Sequence, residues 1–160
     1  MLHEAIYDYE GPVAVRYPRG GDGSYQDDTK NPIYKKGTSF TVVTYGTIFN
    51  EVWKAVGALQ SMGYAPEVLK LPCISPLPMD MILSSAQKTG KLFLVEECSQ
   101  TGCVAQEVMA AVKDTAVLCR CRNLGNRFLT HGSLSQLYRM AGLDGDSLTQ
   151  WILEAVRHGQ

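Results

Sequence analysis

Between residues 39 and 121 strand and helix patterns take turns four times, and this alternation restricts the fold more than any other feature of the sequence. Residues 39–45 are β-branched and aromatic, which predicts a buried strand. Gly46 turns the chain, and Ile48, Val52, Val56, Leu59 and Met62 then recur at helical spacing as far as Gly63. Residues 66–71 predict a second strand, 74–90 a helix opened by prolines, and 91–96 a third strand that is apolar on both faces. A helix from about 101 to 113 carries the stripe Val104, Val108, Ala111 and Val112, and 115–121 predicts the fourth strand. Parallel neighbours need crossover connections, and crossovers are right-handed. The expected class is therefore α/β, a largely parallel sheet with helices on both faces.

Both ends depart from this rhythm. Residues 133–141 and 147–157 read as two consecutive helices, the first ended by Gly142 and the second preceded by Asp144 and Asp146 as candidate N-caps. At the other end, residues 2–10 read as the end of a helix, stopped by Gly11-Pro12 before a β-rich run at 13–17. Residues 22–32 are polar and rich in turn formers, which places a boundary between two units there.

Composition supplies a core and removes several partners. Apolar residues make up 45% and charged residues 19% of the 160, so the chain is expected to fold. Fifteen Lys and Arg against sixteen Asp and Glu leave a formal charge of -1, without the basic excess that nucleic acids or anionic membranes attract. No apolar run approaches the ~20 residues of a membrane-spanning helix, and the N-terminus lacks a basic segment followed by an apolar one. A cytoplasmic protein with no membrane or nucleic-acid partner is expected. The five cysteines are an odd, scattered set in apolar surroundings, so reduced thiols are expected.

In an open α/β sheet, ligands sit beyond the carboxyl ends of the strands, here the turns after Tyr45, Leu71, Glu96 and Cys121. None of these turns carries a glycine-rich phosphate cradle, which disfavours a dinucleotide enzyme. Glu96 and Glu97 are adjacent at a strand end, so alternation sends them to opposite faces; a helix-capping role outweighs an acid/base pair. Cys98 with Cys103 and Cys119 with Cys121 lack the spacing of structural zinc sites, and the latter two share a sheet face as small hydrophobes. His131, in RFLTHGS, has no fixed nucleophile beside it, so a capping or surface role is favoured. In RYPRGG, two arginines and two glycines follow a strand: an Arg fork grips phosphate well, although Arg16 as a solvated or salt-bridged residue is the commoner arrangement.

GPVAVRYPRG, with MLHEAIYDYE before it, resembles the end of the pyrimidine-binding domain of the 1-deoxy-D-xylulose 5-phosphate synthase family, thiamine-diphosphate enzymes related to transketolase. The resemblance continues through TVVTYGTIFNEVWKAVGALQSMGYAPEVLKLPCISPL, KLFLVEECSQTGCVAQEV and the closing NRFLTHGSLSQLYRMAGLD. It implies three parts: residues 1–25 as the end of the pyrimidine-binding domain, 26–38 as linker and lead-in, and 39–160 as a transketolase-type C-terminal domain. The implied fold is three-layered, with a mostly parallel sheet, two C-terminal helices and a helix-strand remnant in front. The departures are Gly102-Cys103 where the family has two glycines, Gly125-Asn126 where it has Pro-Asp, and Cys98 where it often has Asn.

The resemblance also implies that thiamine diphosphate and magnesium are held by segments preceding this one, so no cofactor or metal is expected here. Met1-Leu2 falls where the family has an internal Met-Leu, and a catalytically incompetent fragment is expected. Its implied partners are the missing N-terminal and pyrimidine-binding domains and, in the full enzyme, a second subunit. The implied reaction joins a two-carbon unit from pyruvate to glyceraldehyde 3-phosphate with release of carbon dioxide, supplying isoprenoid and thiamine synthesis. Arg19 falls where related enzymes place a phosphate-gripping arginine, with Arg16 as the alternative. From the residues alone, a stand-alone binding or regulatory module recognising a phosphorylated metabolite is the competing expectation.

Overall fold

The computed structural model describes residues 2–15 and 32–158. A short helix, α1 (Leu2–Tyr7), is followed by β1 (Ile33–Lys35), β2 (Phe40–Thr44), α2 (Phe49–Ser61), β3 (Pro66–Lys70), α3 (Met79–Thr89), β4 (Lys91–Val95), α4 (Val104–Val112), β5 (Leu118–Arg122), α5 (Leu134–Ala141) and α6 (Gly145–His158). The strands form one sheet in the order β1-β3-β2-β4-β5. β2 pairs in parallel with both β3 and β4, and β4 pairs in parallel with β5. The four strands expected from the pattern thus form the parallel body of the sheet.

The period-2 alternation of the strands builds two cores. Phe40, Val42, Val68, Phe93 and Val95 point to one face, where α2, α5 and α6 cover them; Val43, Leu69, Leu92 and Leu94 point to the other, beneath α3 and α4. Phe40 and Phe93 meet edge-on at 5.6 Å between ring centroids, and Trp151 of α6 meets Phe93 at 5.4 Å. The expected helices on both faces are present.

The edge strand β1 departs from the sequence reading. Its three residues fall within the stretch expected as lead-in, yet Ile33 and Lys35 pair antiparallel with Leu69 and Val68, and the Lys70 N–H reaches the Pro32 carbonyl at 2.8 Å. A three-residue strand offers too little alternation for its period to be read. Val13–Val15, expected as part of a strand at 13–17, pair with no strand among the described residues; Arg16 and Tyr17 lie outside them. Strand geometry needs a partner to supply the ladder, and local β propensity does not provide one.

Several boundaries shift for identifiable reasons. Helix α4 begins at Val104 rather than near residue 101 because Gly102, at φ +76°, adopts the left-handed conformation that ends the preceding turn. That accounts for one glycine of the pair usual in the related family; Cys103, at φ −78°, stands in extended backbone open to any side chain. Ser133 and Gln136 form a reciprocal capping box at the start of α5. Of the two aspartates before α6, Asp144 is the cap: it accepts the Ser147 N–H at 3.2 Å and the Ser147 hydroxyl at 2.6 Å. Glu51 of α2 accepts the Gly145 N–H at 2.9 Å, where a Cβ on Gly145 would lie 2.9 Å from that of Lys54, so α2 and α6 touch closely.

Candidate functional site

The order β1-β3-β2-β4-β5 reverses direction at β2: the chain passes through α2 to β3 on one side and through α3 to β4 on the other. The loops after β2 and β4 therefore diverge, and a crevice at their carboxyl ends is where sheets of this kind bind ligands. Tyr45, Gly46 and Thr47 follow β2 at this end of the sheet, and Glu96, Glu97 and Cys98 follow β4. Gly46, at φ +68°, makes the sharp exit from β2.

Alternation separates the two glutamates as expected. Glu96 turns toward α4, is 1% exposed, and accepts the Ala105 N–H at 3.1 Å and the Tyr45 hydroxyl at 3.0 Å. It thereby caps the first turn of α4, where the N-cap Cys103 makes no side-chain capping bond. Glu97 turns to the other face, accepting the Tyr138 hydroxyl of α5 at 2.8 Å and the Thr47 hydroxyl at 3.3 Å. Burial, then neighbouring Cys98 and Glu96, pushes the Tyr45 phenol far above its ordinary range. Burial followed by Glu97 does the same to Tyr138. Each carboxylate is thus paired with a phenol that stays protonated and donates. The arrangement fastens helices to the sheet rather than moving protons.

Thr44, one residue before the crevice, is buried with its Oγ1 unpartnered, the one such side-chain oxygen found among the described residues. The thiols gather on the α4 side. Cys98 lies 3.7 Å from the Tyr45 hydroxyl, while Asn123 donates to Cys103 at 3.7 Å and to Cys121 at 3.6 Å. An open cleft of about 420 Å³ exposes this region, lined by Cys103, Gln106, Cys121, Asn123 and Arg127. Burial raises the Cys119 thiol to about 11, and Cys119 and Cys121 pack on one face with the α3–α4 core, as their spacing predicts.

His131 is exposed, two residues before the α5 cap. Arg16 and Arg19, the candidate phosphate ligands, lie outside the described residues. The sequence reading missed Tyr45, Thr47 and Tyr138 as partners of the glutamates: contacts spanning 51, 50 and 41 residues leave no local signal. It also missed Asn126, whose Oδ1 accepts from both the N–H and the hydroxyl of Thr101, at 3.1 and 3.2 Å. A residue that departs from the related family therefore ties the β4–α4 turn to the segment after β5.

Among the described residues no group of three His, Cys, Asp or Glu side chains could hold a metal ion, and no helix is long and apolar enough to cross a membrane. The buried carboxylates Glu67 and Glu96 are already committed to protein donors. The described part of the chain therefore does not fit a diphosphate-bound magnesium.

The family model for "Transketolase, C-terminal domain" matches residues 30–148. The curated 1-deoxy-D-xylulose-5-phosphate synthase of Chlorobaculum tepidum is 34% identical over 96% of this chain, and that of Chlorobium luteolum 31% identical over 98%. The chain spans about a quarter of the length of either, 26% in both. The pyruvate dehydrogenase E1 component subunit beta of Bacillus subtilis is 35% identical over 56% of the chain, which spans 27% of that protein. A solved structure titled "Split gene transketolase, inactive beta4 tetramer" shares the fold with a TM-score of 0.69, at 21% identity over 78% of this chain and 41% of that one.

Proposed function

The chain belongs to the transketolase C-terminal domain family, and we propose that it serves as the C-terminal portion of a 1-deoxy-D-xylulose 5-phosphate synthase. The observation that carries this reading is the extent of the likeness. The synthases run along 96 and 98% of the chain, whereas the pyruvate dehydrogenase subunit is similar over 56%. The whole enzyme would join the two-carbon unit left by decarboxylation of pyruvate to glyceraldehyde 3-phosphate. Thiamine diphosphate would supply the carbanion chemistry.

In that reading this chain contributes an architectural domain and one substrate contact. The cofactor and its magnesium would be held by the N-terminal and pyrimidine-binding domains, since the carboxylates described here are spent on helix caps and hydroxyl donors. Arg19, or Arg16 in the same motif, would hold the phosphate of the aldehyde acceptor through a planar fork of N–H donors, orienting the carbonyl without touching it. The working assembly would be a cytoplasmic homodimer of the full-length enzyme, and the isolated chain would be inactive.

Calorimetric titration of the isolated chain with thiamine diphosphate and magnesium tests the reading. No binding heat is expected; tight, magnesium-dependent binding would overturn the division of labour. Co-expression with the two preceding domains of a related synthase tests the other half: synthase activity is expected only when all parts are present.

A further inference from the structure

The open cleft of about 420 Å³ beside the ends of β4 and β5 is charged with one sign only. Arg122 and Arg127 line it together with the amides of Gln100, Gln106 and Asn123, and its lining holds no aspartate or glutamate. The whole chain carries a formal charge of -1, so two positive charges in one cleft are a local concentration. Neither arginine lies in an ion pair among the described residues.

The end of α5 brings the two guanidinium groups together. Arg127 Nη2 donates to the Met140 carbonyl at 3.4 Å, and Arg122 lies beside Gly142, where a Cβ would come within 2.7 Å of its Nη1. Ala141, between those two contacts, lines the cleft. Arg122 is also set over the Trp151 ring, 5.1 Å from its centroid, which fixes the guanidinium. The Met140 contact occupies one N–H of Arg127 and leaves its other donors open. Gln106 accepts the Gly102 N–H at 2.9 Å through Oε1, so its amide hydrogens stay available. Glu96, which touches the lining residues Ala105 and Cys121, is 1% exposed and has both oxygens taken by protein donors. Because Glu96 already holds the Ala105 N–H, the free donors in the cleft are side chains rather than the end of α4.

We propose that this cleft binds a small organic phosphate. A phosphate monoester carries nearly two negative charges near neutral pH, which two guanidinium forks match in charge and in geometry. Met109, Leu124 and Ala141 supply apolar lining for the organic part, and the volume lies within the ~300–1,000 Å³ of small-molecule sites. Asn126 strengthens the case. It stands between Gly125 and Arg127 where the related family has Asp, and its Oδ1 accepts from the Thr101 N–H and hydroxyl as a carboxylate oxygen would. The turn is kept while a negative charge beside Arg127 is removed. The cleft draws on neither Arg16 nor Arg19.

The test titrates the ¹⁵N-labelled full chain carrying Arg16→Ala and Arg19→Ala with phenyl phosphate at constant ionic strength. Those two substitutions keep the RYPRGG motif from holding the probe, so the outcome here and the fate of the Arg19 reading stay separate. Saturable shifts are expected at the Nε–H signals of Arg122 and Arg127 and at the Gly125 amide, with benzoate, a single charge on the same ring, binding more weakly. Arg127→Gln and Asn126→Asp, both at exposed positions, should each weaken phenyl phosphate by roughly fivefold. Lys54→Gln, which removes an equal charge outside the cleft, should leave the affinity unchanged. Shifts that sodium chloride reproduces, shifts confined to other residues, equal affinity for benzoate, or an equal loss in Lys54→Gln would overturn the proposal.

Discussion

The Oε2 atom of Glu96 accepts the Ala105 backbone N–H at 3.1 Å, so a carboxylate at the end of one strand caps the helix that follows nine residues later. Removing the side chain would leave a buried N–H without an acceptor and the Tyr45 hydroxyl without its carboxylate partner. Glu96→Ala is expected to destabilise the domain by about 1–3 kcal/mol, with Glu96→Gln milder because an amide oxygen still accepts. Urea unfolding of the three proteins checks the ranking; equal midpoints would refute the capping role.

Thr44 presents the opposite case, a buried hydroxyl without a partner. Its replacement by the similarly shaped valine removes a desolvated polar atom and adds a methyl group to the core. Thr44→Val should raise stability by roughly 1 kcal/mol, seen as a higher Tm in calorimetry. A lower Tm would mean that the hydroxyl has a partner in solution.

Glu67 is buried on β3, where it accepts from Ser85, from Gly37 N–H at 3.3 Å and from Lys88, its ion-pair partner across to α3. Burial alone would raise its pKa, but Lys88 and these donors outweigh burial and hold it below the ordinary 4.5. A carboxylate depressed in the folded state stabilises the fold above its unfolded pKa. That contribution disappears as pH falls from 4.5 through the lower folded value. Melting temperatures measured on acidification should therefore drop more steeply for the parent than for Glu67→Gln, and parallel curves would argue against it.

Gly37 leaves no room for a side chain: a Cβ there would lie 2.3 Å from the Pro66 carbonyl carbon and 2.4 Å from the Ala65 oxygen. Thr38 and Ser39 both donate to that same Ala65 carbonyl, at 2.8 and 2.9 Å, so the approach is fixed by hydrogen bonds. Gly37→Ala should cost ~2–3 kcal/mol through forced backbone movement, whereas Gly57→Ala, on an open helix surface, should be neutral or slightly stabilising. Denaturation midpoints compare the two.

For the proposed substrate contact, Arg19→Ala in the full-length enzyme should raise KM for the phosphorylated aldehyde at least tenfold while kcat changes less, because the lost contact is to a non-reacting group. An unchanged KM would remove Arg19 from the site and turn attention to Arg16.

Repeated alternation from Phe40 to Arg122 determined the class, the parallel body of the sheet and the opposite faces taken by Glu96 and Glu97, because side-chain period is a local property of the backbone. Glycine and capping residues likewise marked the ends of α5 and α6. Tertiary structure alone decided the rest: that Ile33–Lys35 joins the sheet, that Val13–Val15 do not, and that Tyr138 and Thr47 converge on Glu97 while Tyr45 and Asn123 gather around the thiols. These contacts join residues far apart in the chain. Their partners are chosen by sheet order and helix packing, which no local window of sequence contains.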